Sequence, residues 1–278
     1  MKRLLKFTLA AVVASLIVAC TTSPTGRSQL NLFSGSALNS LGAQSFAEIK
    51  QQERVSDDRE LNAYAQCLAD AIVAVLPEQF QGREWEVAVF ESDTVNAFAL
   101  PGGYMGFYTG IMRVAENEHQ LAAVMGHEVG HVIADHSSER LSTNLLISGA
   151  LIGADIAFSD RTPQQRAMIM AGLGLGAQIG VMLPYSRTHE SEADEIGMDL
   201  MARAGFDPRE APKLWENMSR DAGSSPPELL STHPSPQTRI RALTRQLPEV
   251  MPLYEARLAS HGPANCPRPA KLDRPSGS

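Results

Sequence analysis

The chain has 278 residues, a formal net charge of −7, 44% hydrophobic residues, 21 glycines and 17 prolines. Those proportions suit one folded domain with short appendages. The acidic balance argues against nucleic acid as a partner.

Lys2, Arg3 and Lys6 precede an apolar run from Phe7 to Ala19, the layout of a secretory signal peptide. That run falls short of the ~20 residues a membrane span needs. It ends Leu16-Ile17-Val18-Ala19-Cys20, which resembles the cleavage box of bacterial lipoproteins. Residues 1–19 are therefore expected to be removed and Cys20 to carry lipid. Thr21 follows rather than Asp, which by resemblance to the sorting rule of Gram-negative bacteria directs the chain to the outer membrane, facing the periplasm. Residues 20–45, rich in Ser, Thr, Gly and Asn, read as a tether; the folded domain is expected over 46–250, with a Pro-rich, irregular tail over 251–278. Cys67 and Cys266 make an even pair in an oxidising compartment, which suits a disulfide.

Apolar residues recur at helical spacing from Ser45 to Leu76 and stop before Pro77, which predicts one amphipathic helix. Trp85–Phe90 reads as a strand, and Asn96–Tyr108 as a hairpin turning at Pro101-Gly102-Gly103. A second helix opens at Asn117, with Gln120 as capping-box partner, and runs to about His136. Residues 145–157 and 167–183 are apolar, but each is short for a span, and Asp155, Asp160, Arg161 and Arg166 lie in or between them, which favours packed helices over a transmembrane pair. Gly172, Gly176 and Gly180 recur every fourth residue and predict a bare face for close packing. Helical pattern resumes after residue 190 to Ala204, capped by Gly205. A further helix starts at Asp207-Pro208, a loop covers 221–236, and a last helix follows Pro236. The fold class is α+β, mostly helical, with a small sheet.

The chemistry sits in His127-Glu128-Val129-Gly130-His131. On a helix, His127 and His131 lie about 40° apart around the axis, so both imidazoles reach one ion. Glu128 is placed to take a proton from an attacking water and pass it to a leaving amine, the mechanical content of an H-E-x-x-H string. A zinc site needs a third protein ligand. His136 fails, because nine helical residues from His127 place it about 180° away. A metzincin pattern would require Gly at 134 and His at 137, where the chain has Ala134 and Ser137. Of two glutamates in Ser186–Asp194, Glu190 has Asp194 one turn on, able to accept the free ring N–H of a ligating histidine, whereas Glu192 is followed at that spacing by Ile196. Glu190 is therefore the expected ligand and Asp194 its supporting carboxylate.

Together with Asn96–Gly103 and Thr-His-Pro-Ser-Pro-Gln-Thr-Arg-Ile over 232–240, these blocks resemble metallopeptidase family 48 over roughly residues 46–245, and the lipobox makes LoiP-like outer-membrane lipoproteins the closest resemblance within it. The resemblance implies a gluzincin fold, one Zn²⁺ on His127, His131 and Glu190, and Glu128 as catalytic base. It implies a strand near 96–100 at the cleft edge, where a substrate peptide could add. It also makes His233 similar to a histidine that approaches the zinc in a periplasmic member. His233 then either stabilises the transition state or holds the enzyme latent, and Arg239 is either a cleft-lining cation or a surface residue. The implied activity is endopeptidase action on misfolded or stalled envelope proteins, in contact with the outer-membrane assembly machinery; the alternative is a chaperone-like assembly factor with little proteolysis.

Overall fold

A computed structural model describes residues 20–178, 182–221 and 236–273. In chain order these form β1 (Cys20–Thr22), β2 (Ser28–Leu30), α1 (Gly35–Gln52), α2 (Arg59–Val73), α3 (Glu78–Gln81), β3 (Glu86–Phe90), β4 (Ala97–Leu100), β5 (Tyr104–Tyr108), α4 (Thr109–Val114), α5 (Glu118–Ile133), α6 (His136–Ala157), α7 (Pro163–Ala177), α8 (Leu183–Ala204), α9 (Glu210–Asp221), α10 (Pro236–His261) and a 3₁₀ turn at Ala270–Asp273. The mostly helical α+β class is thus as expected from the sequence. The chain divides into two compact units, Met1–Leu38 with Ala134–His189, and Asn39–Ile133 with Glu190–Ser278.

In the larger unit the sheet order is β3-β5-β4, with β5 parallel to β3 and antiparallel to β4. The β4–β5 turn places Gly102 and Gly103 at φ 99° and 95°, a region closed to most L side chains. Alternation along the strands gives the sheet two apolar faces. Val89, Met105 and Phe107 join Leu68 and Ile72 of α2 and Leu121 and Met125 of α5 in the main core. Opposite, Phe46 of α1 meets Phe90 and Phe98 edge-on, with ring centroids 6.5 and 6.3 Å away. Helix α9 packs on α5 and on α10. Cys67 of α2 and Cys266 form a disulfide that fastens the C-terminal segment to the core. Lys271 adds a bond of 2.7 Å to Asp58, the N-cap of α2.

In the smaller unit β1 and β2 pair antiparallel, and β2 packs on α6. Arg27 forms a double ion pair with Glu139, 2.7 Å at each nitrogen, and Leu32 N donates to Ser142 Oγ at 2.9 Å. His189 shares Glu139 at 2.9 Å and stacks on His136 with centroids 4.1 Å apart.

Several expectations are corrected. Residues 20–45 are not an irregular tether, because Cys20 already pairs in β1 and α1 begins at Gly35. The helix expected over 45–76 is two helices, since the Asp58 side chain accepts from Glu60 N and Leu61 N and starts α2 afresh. The helix from Asn117 stops at Ile133, and Asp135, at φ 52°, turns the chain before α6. Gly172 and Gly176 face open space, so they are not a packing face, and Gly180, the third of the repeat, lies outside the described residues. The tail is not irregular from Pro252: α10 carries Pro248 and Pro252 inside it as far as His261, because each proline removes one backbone bond while Leu243, Val250 and Tyr254 remain buried.

Candidate metal centre

Two helices carry the centre. Asn117 Oδ1 caps α5 by accepting from Gln120 N at 2.9 Å, and Gln120 Oε1 accepts from Glu116 N at 2.9 Å. From there α5 buries Leu121, Met125 and Val129 on one side and His127 and Glu128 on another. At the far end of α8, Gly205 at φ 94° closes the helix, with Gly205 N bonded to Ala202 O and Phe206 N to Met201 O, a Schellman motif.

The two helices cross at backbone distance. A Cβ on Gly126 would stand 2.7 Å from Gly197 O, one on Gly130 2.8 Å from Ala193 O, and one on Gly197 2.7 Å from His127 N. Only glycine permits this approach, and it brings Glu190 of α8 beside both histidines of α5.

His127 Nε2 and His131 Nε2 are 3.1 Å apart; Glu190 lies 3.4 Å from the first through Oε2 and 3.5 Å from the second through Oε1. A tetrahedral ion held at about 2.0–2.2 Å separates its ligand atoms by roughly 3.3–3.6 Å. The two edges to Glu190 use different carboxylate oxygens and the histidine–histidine edge is a little shorter than that, but one ligand atom from each side chain lies within 4.8 Å of the others, so the three form a group able to hold a metal such as zinc. Glu192 is not in that group, and His136 is engaged with His189.

A supporting layer surrounds the ligands. Asp194 Oδ1 is 3.0 Å from His127 Nδ1. Arg239 of α10 donates through Nε to Asp194 Oδ2 at 2.8 Å, through Nη2 to Asp194 Oδ1, and through Nη1 to Glu190 Oε2 at 2.9 Å. Its guanidinium stacks 3.7 Å over the Trp215 ring of α9. Arg239 Nη2 also lies 2.9 Å from His127 Nδ1, and that nitrogen can either donate to Asp194 or accept from Arg239, not both. Burial and the Arg239 charge both press the His127 pKa down, yet hydrogen bonds to Asp194 and Glu190 outweigh them and raise it to about 9. The proton thus favours His127, and Nδ1 donates to Asp194. Burial pushes Asp194 up, but Arg239 and His127 together hold it below the usual carboxylate value.

Glu128, next to His127, is 5% exposed. His127, Glu128, Asp194 and Trp215 line a cavity of about 20 Å³, room for about one water. β4 is an edge strand of the sheet and packs beside α5. His233 lies outside the described residues, as does the peptide over 1–19; Cys20 is the first residue of β1. Of the two readings of Arg239, cleft-lining cation or surface residue, the buried position beside Asp194 and Glu190 supports the first; its bonds to both carboxylates had no sequence signal, because no local spacing links the start of α10 to α5 or α8.

Residues 56–247 match the model of peptidase family M48. The mitochondrial metalloendopeptidase OMA1 of Schizosaccharomyces pombe is 38% identical over 168 residues, covering 60% of this chain and 48% of that protein. OMA1 of Arabidopsis thaliana is 32% identical over 196 residues, 70% of this chain and 38% of the relative. The beta-barrel assembly-enhancing protease of Escherichia coli K12 is 33% identical over 172 residues, 59% of this chain and 35% of the relative. The chain thus spans about a third to a half of the length of these relatives. With a family match over residues 56–247, more than half the sequence and including both α5 and α8, the chain belongs to peptidase family M48.

Proposed function

We propose that the protein is a zinc-dependent endopeptidase. The observation that carries this is the convergence of His127 Nε2, His131 Nε2 and the Glu190 carboxylate, close enough together to hold one ion, with Glu128 on the same helix as the histidines. Bound zinc supplies Lewis acidity toward a peptide carbonyl. Asp194 fixes the His127 ring by accepting from Nδ1, leaving Nε2 for the ion. Arg239 helps hold Asp194 ionised away from water and donates to Glu190 through the same guanidinium. Glu128 takes the proton of the attacking water and delivers it to the departing amine. A substrate segment adds to the edge of β4, so recognition reads backbone more than side chains.

The finer reading is a protease tethered by lipid at Cys20 to the periplasmic face of the outer membrane, acting on misfolded or stalled envelope proteins. It is supported by the lipobox over 16–20 and by similarity to a relative named for enhancing beta-barrel assembly. His233 of the 232–240 block serves either the transition state or a latent state, and His233→Ala separates the two by lowering activity in the first case and raising it in the second.

The deciding experiment is Glu128→Gln. The variant should bind zinc as the parent does and cleave no casein. A variant that retains cleavage removes Glu128 from its role, and one that cleaves nothing yet fully complements a deletion strain turns the biology toward assembly without proteolysis.

A further inference from the structure

Helices α6 and α7 leave a large apolar surface uncovered. No residue from 144 to 178 is buried, although the stretch is helical over most of its length. On α6, Leu145, Ile152 and Ile156 are 55, 64 and 68% exposed, with Gly149 and Gly153 filling the same three- and four-residue spacing. On α7, Met168 and Leu175 are 73 and 60% exposed on either side of Gly172. On α6 that spacing makes an apolar stripe, widened by Leu146, while α7 exposes apolar residues on more than one face, Leu173 among them. Soluble chains rarely leave such a surface to water, and short helices gain most of their stability from covering it.

Three observations indicate what covers it. The four charges between 144 and 178 pair among themselves: Arg166 holds Asp155 at 2.5 Å, and Arg161 lies 3.9 Å from Asp160. The surface is thus apolar and neutral, suited to no acidic or basic partner. Among the described residues no helix is long and apolar enough to cross a membrane. Cys20, the lipid site of the reading above, opens β1, and the β1–β2 pair is fixed to α6 through Arg27–Glu139 and Leu32–Ser142 with no flexible spacer between. Lipid attachment and apolar helices therefore belong to one compact unit.

We propose that the α6–α7 hairpin lies in the lipid–water interface of the membrane that holds the protein, with Leu145, Ile152 and Ile156 of α6 and Met168 and Leu175 of α7 among the acyl chains. Helices of this kind sink about 5–10 Å into the headgroup–acyl boundary. The hairpin is then a second membrane contact beside the acyl group on Cys20, and it rests on the lipid-anchor reading for its orientation toward a bilayer.

The test uses full-length protein reconstituted into phosphatidylethanolamine–phosphatidylglycerol vesicles, with Ile152→Cys or Met168→Cys carrying an environment-sensitive fluorophore. Variants are taken forward only if they unfold at the parent's temperature. Both labels should be quenched by lipids brominated near the headgroup end of the acyl chain and shielded from aqueous iodide. Labels open to iodide and blind to brominated lipid overturn the proposal. Labels shielded from both quenchers also overturn it, in favour of a second copy of the chain as the cover. Mass analysis of Cys20 in the same sample separates the two readings. An unacylated Cys20 with lipid-quenched labels ends the anchor reading and leaves the hairpin inserted, whereas an acylated Cys20 with iodide-quenched labels does the reverse.

Discussion

Arg239 and Asp194 form a buried two-pronged ion pair, Nε to Oδ2 at 2.8 Å and Nη2 to Oδ1, and the same guanidinium reaches Glu190 at 2.9 Å. One cation from α10 thereby bridges two carboxylates of α8. Removing one partner of such a network costs about 3–5 kcal/mol, because the other charges stay buried without compensation. Arg239→Leu is expected to lower the unfolding temperature of the zinc-free protein sharply. Arg239→Lys should recover little, since a lysine has no fork to span Nε and Nη geometry. Thermal unfolding of both variants checks this, and a parent-like melting curve for Arg239→Leu would remove the network from the account.

Asp194→Asn keeps the shape of the side chain and loses its charge. Partners of this kind are worth roughly 10–100-fold in metal affinity or activity. The variant should bind zinc more weakly by that order in a competition titration with a chromogenic chelator. An unchanged affinity would show that His127 needs no help from Asp194.

The pH dependence of the zinc-free protein follows from two opposite shifts. His127 is raised to about 9, so its contribution is fully present below its unfolded value of about 6.5 and is lost as pH rises through about 9. Asp194 is lowered, so its contribution is present above its unfolded value and is lost as pH falls through the lower folded one. Denaturant unfolding of zinc-free protein should therefore show stability falling between about pH 6.5 and 9. Zinc uptake at pH 7 should release about one proton from His127, measurable by calorimetry in buffers of different ionisation enthalpy. No proton release at pH 7 would contradict the raised value.

The crossing of α5 and α8 is tested at Gly197. A methyl group there meets His127 N at 2.7 Å, and the atom met is backbone, not a side chain able to swing away. Gly197→Ala should cost about 1–3 kcal/mol in denaturant unfolding, the usual range for overpacking, and should weaken zinc binding by displacing Glu190 from the histidines. A neutral result would mean that the helices separate freely.

Much of this centre was legible in the sequence because its geometry is local. His127 and His131 share a helical face by spacing alone, and the choice of Glu190 over Glu192 followed from what stands four residues on. Arg239 was singled out only by resemblance and left as either a cleft-lining cation or a surface residue; its partners were not legible, because they are 45, 49 and 112 residues away and only the packing of α10 brings it to them. The same limit explains the glycines. A four-residue repeat at Gly172 and Gly176 reads like a packing face but borders open space, while Gly126, Gly130 and Gly197, spread over two helices, make the actual contact. The Ser- and Gly-rich composition of 20–45 concealed a paired strand and a helix start, since backbone pairing of Cys20 with Leu30 leaves no signature in residue type.

The most direct test of the central claim is casein cleavage by the purified full-length protein before chelation, after chelation and after zinc is returned, with metal analysis at each stage. The account predicts about one zinc per chain, loss of cleavage with the metal, and recovery on adding zinc but not magnesium. Cleavage that persists in protein shown to be free of metal would contradict it.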